Sequence, residues 1–398
     1  MQPQRTKQLF DWMQAPALQK VVAAFSSLPN ALYFVGGCVR DSLLGRPFGD
    51  IDLASPLTPD KVALYLQKAG IPFKEVGKTF GTLMAVVEGQ SFEITSFRRD
   101  IETDGRWAKV SYTSNLLEDA ARRDFTMNAL YLTPSGDLYD PWGGIDDLRN
   151  GCLRFIGEPA ARIQEDYLRI LRFFRFYAWV GRVPPDAATL DACQKLATNL
   201  TRISGERIRA EFMKLLAAPD PSKSLDMMAA TQLTDSFLGI PLHVSDFKRL
   251  QQVEAFLHVQ ASPLVRLSIL LGSKLIDNLQ RFAFSNKESS LLEKIAGYSH
   301  YAQQPIHEWL YRQESEIAQA FIFLKAMQEG LSATLHTDWQ QISTWQRPHF
   351  PLTGHDAIKI GLQGAAIGQA LQAVEDWWIG EHFQPTYTEC LKQLQGYA

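Results

Sequence analysis

Four cysteines in 398 residues, scattered at Cys38, Cys152, Cys193 and Cys390 with no C-x-x-C pair, leave no material for a disulfide framework or a cysteine zinc site. They fit a reducing compartment. With no basic start and apolar run at the N-terminus, the expected location is the cytoplasm. No uninterrupted apolar stretch approaches the roughly 18 residues of a membrane span, so no membrane partner is expected. Charge of one sign is not in excess either: 40 Lys and Arg against 43 Asp and Glu give a net charge of −3. A global electrostatic signature of nucleic-acid binding is therefore missing, and any RNA contact must come from a local patch. Internal repeats and low-complexity tracts are also absent. What remains is an ordinary globular composition, 46% hydrophobic and 21% charged, on a chain long enough for roughly two to four domains.

The chain changes character near residue 150. Before it, short β-type runs (Leu32 to Val35, Asp50 to Ala54, Thr82 to Val87, Ser91 to Phe97, Leu130 to Leu132) alternate with a helical pattern from Asp60 to Ala69. After it the pattern is helical, broken at Pro184-Pro185, Pro219-Asp220-Pro221, Pro263 and Pro348 to Pro351. The expected fold is α+β: a mixed-sheet head followed by an all-helical arm. The arm opens with an unusual run. Seven arginines, three acids and no lysine lie between Arg149 and Arg182, which suits bidentate recognition of phosphates or bases as well as a solvated helix face.

The head carries Val35-Gly36-Gly37-Cys38-Val39-Arg40-Asp41, then Asp50-Ile51-Asp52. Glycines without Cβ let backbone N–H groups approach an anion, and Arg40 adds a fork suited to phosphate oxygens. If residues 50–54 form a strand, period 2 puts Asp50 and Asp52 on one face. Asp-x-Asp alone is as common in turns, but beside a phosphate cradle it reads as the Mg²⁺ site of a phosphoryl or nucleotidyl transfer. Glu93, flanked by apolar Phe92 and Ile94, is a candidate third acid or a solvent-facing strand residue. Arg122-Arg123-Asp124-Phe125-Thr126-Met127-Asn128 offers groups for a triphosphate and a ribose hydroxyl, or else a salt-bridged loop. Gly143-Gly144 suits a tight turn or a hinge.

Glu165-Asp166-Tyr167-Leu168-Arg169 is the most specific local signal. On a helix, Asp166 and Arg169 share a face at i, i+3. A carboxylate accepts from an exocyclic amine while a guanidinium donates to a ring nitrogen or carbonyl. That pair fits cytosine and adenine and rejects G and U. The plainer reading is an intrahelical salt bridge.

Taken in order, Gly36-Gly37-Cys38-Val39-Arg40-Asp41 with Asp50/Asp52, Arg122 to Ala129, Gly143 to Leu148, Glu165 to Arg169 and Ser204-Gly205-Glu206-Arg207-Ile208 resemble the motifs of the class II tRNA nucleotidyltransferase / bacterial poly(A) polymerase family. Gly361 to Gly364 and Asp376-Trp377-Trp378 look like that family's tail. The resemblance implies a polymerase-beta-type head (1–150), a neck that selects the nucleobase (151–225), a body (226–330) and a tRNA-binding tail (331–398). It implies Asp50 and Asp52 as Mg²⁺ ligands, with Glu93 a third carboxylate. Arg122, Arg123, Asp124 and Asn128 would form the ribose and phosphate site. Glu165, Asp166 and Arg169, with Arg172 beside them, would form the base site, and Ser204 to Arg207 its buttress. The implied substrates are CTP, ATP and tRNA.

Within the family, Gly77-Lys78-Thr79-Phe80-Gly81-Thr82 looks like the CCA-adding form rather than the Gly-Arg-Arg-Phe-Arg type of poly(A) polymerases. The linker Arg99 to Arg106 resembles the flexible loop of enzymes that add the terminal A, and the sequence ends without the long basic tail that poly(A) polymerases often carry. Full CCA addition is thus expected, with poly(A) tailing or A-only addition as alternatives. An HD-type phosphohydrolase domain is not expected, since His355-Asp356 stands alone and reads as a helix start.

Overall fold

The computed structural model describes residues 4–5, 10–76, 81–104, 107–300, 302 and 304–397, with backbone only at 4–5, 100–109 and 300. The chain separates into two compact units, 1–242 and 243–398.

In the first unit, ten strands among the described residues are β1 Gln4–Arg5, β2 Tyr33–Val35, β3 Asp52–Ser55, β4 Phe73–Glu75, β5 Thr82–Val87, β6 Gln90–Ser96, β7 Arg98–Asp104, β8 Trp107–Tyr112, β9 Tyr131–Leu132 and β10 Asp137–Tyr139. Eight form one mixed sheet in the order β1-β10-β9-β2-β3-β6-β5-β4, in which β3 and β6 are parallel and their neighbours antiparallel. Alternation along β5 and β6 buries Leu83, Ala85, Val87, Phe92 and Ile94, leaving Glu93 on the opposite, exposed face. One face of the sheet packs on α1 Pro16–Ala24, α2 Gly37–Leu43 and α3 Pro59–Lys68 through Leu18, Val21, Val39, Val62 and Leu66. The other carries an aromatic cluster of Tyr33, Phe97 and Tyr131, beside α4 Leu116–Ala121.

Two expectations need correction. Asp50 lies outside the strand, which begins at Asp52, so strand period does not align the two carboxylates. Arg99 to Asp104, read as part of a linker from Arg99 to Arg106, belong to strand β7, which pairs antiparallel with β8 in a two-stranded ribbon with a bulge between Asp100 and Glu102. Gly77 to Phe80, and Gly105-Arg106 of the same linker, lie outside the described residues.

The helical arm begins with α5 Gly144–Asn150, α6 Pro159–Glu165, α7 Leu168–Val180, α8 Ala187–Leu196, α9 Gly205–Leu216, α10 Ser222–Ala230 and α11 Leu233–Leu238. At Gly143 the chain takes φ +71, and Gly144 passes so close to the Thr126 carbonyl that a Cβ would sit 2.3 Å from its oxygen. The junction of sheet and arm is phenylalanine-rich: Phe125 packs on Phe155 at 4.7 Å and on Phe176 at 5.5 Å, and Phe155 stacks on Phe173.

The second unit is helical, with one core around Leu250, Val265, Phe321 and Ile322 and another around Val374, Trp378 and Leu394. Thr353 and Asp356 form a capping box at the helix Gly354–Lys359, which commits Asp356 to a helix start. Arg266 is buried on the helix Pro263–Leu271 and donates to both oxygens of Glu254 at 2.8 and 2.7 Å. Removing one partner of such a pair strands the other charge in an apolar core. Glu254→Ala is expected to destabilise this unit by about 3–5 kcal/mol, read as an earlier transition in urea; an unchanged transition contradicts this account.

Candidate active site

Gly36 takes φ +73 ahead of α2, a conformation that favours glycine, and a Cβ there would meet Nη1 of Arg123 at 3.9 Å. Arg40 does not reach forward as a separate phosphate fork. Its Nε and Nη2 donate to Asp41 at 2.9 and 2.6 Å, its Nη1 donates to Asn128 at 2.7 Å, and its guanidinium covers the Phe176 ring. From Asn128 the network continues. Its amide donates to Asp124 at 2.9 Å, and Asp124 accepts from Arg172 Nε at 2.7 Å. Asp124 is buried; burial raises its carboxyl, but Arg172 and the Asn128 bond outweigh that and hold it well below the usual range.

Across the site, Asp52 and Glu93 are register partners on parallel β3 and β6, with Asp50 exposed on the loop two residues earlier. Burial first, then the Glu93 charge, lifts the Asp52 carboxyl above its ordinary value, with Arg123 opposing and Asp50 adding a push upward. Among the described residues no group of three or more His, Cys, Asp or Glu closes into a metal cage. Asp50 and Asp52 nonetheless supply hard oxygen donors whose charges repel each other, which a divalent cation would relieve.

Arg122 and Arg123 share one buried acid that sequence reasoning missed. Asp119 accepts from Arg122 Nε at 2.8 Å, Arg123 Nη2 at 3.2 Å and the Tyr131 hydroxyl at 2.6 Å. Its spacing was the available signal: it lies three and four residues before the two arginines, the reach of one helical turn. Burial works against its ionised form, yet Arg123, Arg122 and Tyr131 hold its pKa at about 2.

Helices α6 and α7 meet this segment through main-chain oxygens. Arg162 Nη2 donates to the Arg123 carbonyl at 2.8 Å and Arg169 Nη2 to the Arg122 carbonyl at 3.0 Å. Glu165 holds both donors, accepting from Arg162 at 2.6 Å and from Arg169 at 2.7 Å. Asp166 and Arg169 do not share a helix. Helix α6 ends at Glu165, Asp166 is extended at φ −152, and its carboxylate caps the Leu168 N–H. The other Asp166 oxygen accepts from Arg207 at 2.7 Å, which places Arg207 as its support. Arg162 and the buried Glu211, which pairs with Arg175 at 2.9 Å, were not anticipated as site residues.

Residues 32–154 match the model of the poly A polymerase head domain, and 184–243 that of the probable RNA and SrmB-binding site of polymerase A. The mitochondrial CCA tRNA nucleotidyltransferase 1 of Danio rerio is 32% identical over 98% of this chain and 93% of its own length. The human counterpart is 31% identical over 97% and 91%. Among solved structures, the CCA-adding enzyme of Bacillus stearothermophilus in complex with CTP superposes with TM-score 0.76 at 26% identity, covering 96% of this chain and 98% of that one. A Thermotoga maritima CCA-adding enzyme complexed with tRNA shares the fold, with TM-score 0.69 at 19% identity over 100% of this chain and 99% of that one. A mixed-sheet head with paired acids facing arginines, carried on a helical arm, defines a nucleotidyltransferase. The chain belongs to the class II tRNA nucleotidyltransferase / bacterial poly(A) polymerase family.

Asp119→Asn removes the charge that holds both arginines and is expected to cost on the order of 3 kcal/mol. The folded carboxyl lies below its ordinary value near 4, so its contribution is complete above that pH and is lost as pH falls through about 2. Denaturation of the wild type and Asp119→Asn from pH 7 to 2 should therefore converge at the acid end. Parallel curves would show that Asp119 does not carry the effect.

Proposed function

We infer that this protein catalyses template-independent nucleotidyl transfer from CTP and ATP to the 3′ end of tRNA, building or repairing the CCA terminus. The observation that carries the reading is the fixed junction in which Arg162 and Arg169 of the neck bond the backbone of Arg122 and Arg123. Groups that can read a base are thereby held at a set distance from groups that can hold phosphates.

A guanidinium has five N–H donors. In Arg169 three are engaged, by the Arg122 and Arg162 carbonyls and by Glu165. Two remain, enough for the ring nitrogen and carbonyl of cytosine, or for the ring nitrogen of adenine. Each Asp166 oxygen keeps a lone pair for the exocyclic amine beside them. Uracil and guanine present a carbonyl at that place, which the carboxylate repels.

Asp50 and Asp52 would hold Mg²⁺, with Glu93 as a third carboxylate. When bound, the cation lowers the pKa of the RNA 3′-hydroxyl and neutralises the triphosphate. The new bond joins O3′ to the α-phosphorus, the bond from that phosphorus to the β-phosphate oxygen breaks, and pyrophosphate departs. Gly36 and Gly37 give the phosphates close approach, Arg122 and Arg123 hold their oxygens, and Asp124 and Asn128, locked by Arg172 and Arg40, set the ribose. The chain's part is thus positioning and charge stabilisation. On this reading residues 1–150 are the catalytic head, 151–225 the neck, 226–330 the body and 331–398 the tail that holds tRNA.

Among the described residues no helix is long and apolar enough to cross a membrane. The four free cysteines suit a reducing interior, for which we propose the cytoplasm.

Incubation with Mg²⁺, CTP, ATP and tRNA ending before CCA, followed by product sequencing, should give a CCA end rather than an A tract. No incorporation into any RNA acceptor would sink the enzyme reading. Asp50→Ala and Asp52→Ala should abolish incorporation while tRNA binding and circular dichroism persist; retained activity removes both from the metal site. Asp166→Ala should reduce discrimination against UTP and GTP by on the order of ten- to a hundredfold, and unchanged fidelity would end its base-reading role.

A further inference from the structure

Asp52 and Asp50 are held by different means. Asp52 opens β3 and is fixed by its register with Glu93 on β6. Asp50 lies on the exposed loop between α2 and β3, where, among the described residues, Pro47 to Asp50 make no backbone–backbone hydrogen bond. The loop is pinned at its start. Helix α2 ends in a Schellman closure, in which the Gly45 N–H donates to the Ser42 carbonyl at 3.0 Å and the Arg46 N–H to the Asp41 carbonyl at 2.9 Å. Beyond that point two side chains secure it. Phe48 packs edge-on against Trp12 at 5.3 Å, and Arg46 Nη1 donates to the Trp179 carbonyl at 2.8 Å. The Arg46 bond bridges open space, since a cavity of about 550 Å³ is lined by Pro47, Phe48 and Gly49 of the loop and by Arg175, Trp179 and Lys214 of α7 and α9. Its far end is well founded. Trp179 stands in the last turn of α7, where carbonyls have no partner within the helix and the helix dipole favours a cation. The Trp179 indole N–H in turn donates to the Lys214 carbonyl, in the last turn of α9, at 2.8 Å.

Resting on the nucleotidyltransferase reading, we propose that Arg46 is a positioning residue for Asp50: its bond to the end of α7 sets where the loop presents that carboxylate relative to Asp52. Mg²⁺ demands near-ideal octahedral geometry at about 2.0–2.1 Å, so both carboxylates must be held closely. Strand pairing does this for Asp52, and a loop without a ladder cannot do it for Asp50 through its backbone. The guanidinium of Arg46, seated on a helix end, supplies the missing constraint. Because its acceptor is a neutral carbonyl, it fixes the loop without neutralising a carboxylate that a cation needs.

The test is cation binding by the full chain without nucleotide or tRNA. Mn²⁺ is titrated and the loss of its free-ion electron paramagnetic resonance signal is followed, for wild type, Arg46→Ala, Arg46→Lys, Asp50→Ala and the double variant Arg46→Ala/Asp50→Ala. Arg46→Ala should raise the Mn²⁺ Kd by roughly three- to tenfold, less than the loss of a partner bonded to the ligand itself. On the Asp50→Ala background it should change nothing further, because two changes acting through one group do not add. Arg46→Lys, with one donor for the same carbonyl, should recover part of the loss. In CMP incorporation into tRNA lacking CCA, Arg46→Ala should lower kcat by on the order of tenfold and raise the MgCl₂ requirement, while preference for CTP over UTP stays unchanged. A wild-type Kd in folded Arg46→Ala, or an equal loss on both backgrounds, overturns the proposal and leaves the enzyme reading intact. Wild-type Mn²⁺ binding by Asp50→Ala removes the metal assignment and the proposal with it. Absent incorporation by a wild type that binds Mn²⁺ removes the enzyme reading alone. Should Arg46→Ala not fold, Arg46→Met, which keeps the length of the stem, decides by the same titration on both backgrounds.

Discussion

The site depends on hydrogen bonds from the arginines of α6 and α7 to successive positions of the head. Arg169 and Arg162 reach the carbonyls of residues 122 and 123, and Arg172 reaches the side chain of residue 124. A main-chain carbonyl cannot swing aside as a side chain can, so these bonds fix the angle and spacing between neck helix and head loop. Glu165 makes the arrangement self-consistent by neutralising two of the three donors. The phenylalanine cluster of Phe125, Phe155, Phe173 and Phe176 then excludes water from the same junction, which strengthens each of those polar contacts.

Charge is organised as alternating layers. Asp41, Arg40, Asn128, Asp124, Arg172, Glu211 and Arg175 form one connected chain from head to neck. Its far end has fewer acids than arginines. Burial and the neighbouring Arg172 bring the Arg175 guanidinium down to about 10, although Glu211 pulls it upward. A chain that is nearly neutral overall can thus hold several cations together in one place. That is why net charge reveals nothing about the substrate here.

How much could be read in advance followed from how local each cause is. β5 was legible as Thr82 to Val87 because alternation is written into those six residues, and α3 because Pro59 starts it and apolar spacing continues it. Asp50 was misplaced because strand length depends on pairing: β3 finds a partner on β6 only from Asp52 onward. The Asp166 break was hidden by the helical pattern on both sides, and only its capping bond to Leu168 and its pull toward Arg207 reveal it. Asp119 went unnoticed because a lone acid next to Glu118 looks like surface, whereas its burial arises from Tyr131 on a strand twelve residues later. The ribbon β7–β8 failed for a related reason, since its partners are each other.

The carbonyls at 122 and 123 carry a further consequence, for how such a protein can change. Every residue type presents the same main-chain oxygen, so the clamp is indifferent to which side chains stand at those two positions. The bonds from Arg162 and Arg169 therefore do not depend on the side chains at those two positions. The geometry of this junction is written into the backbone.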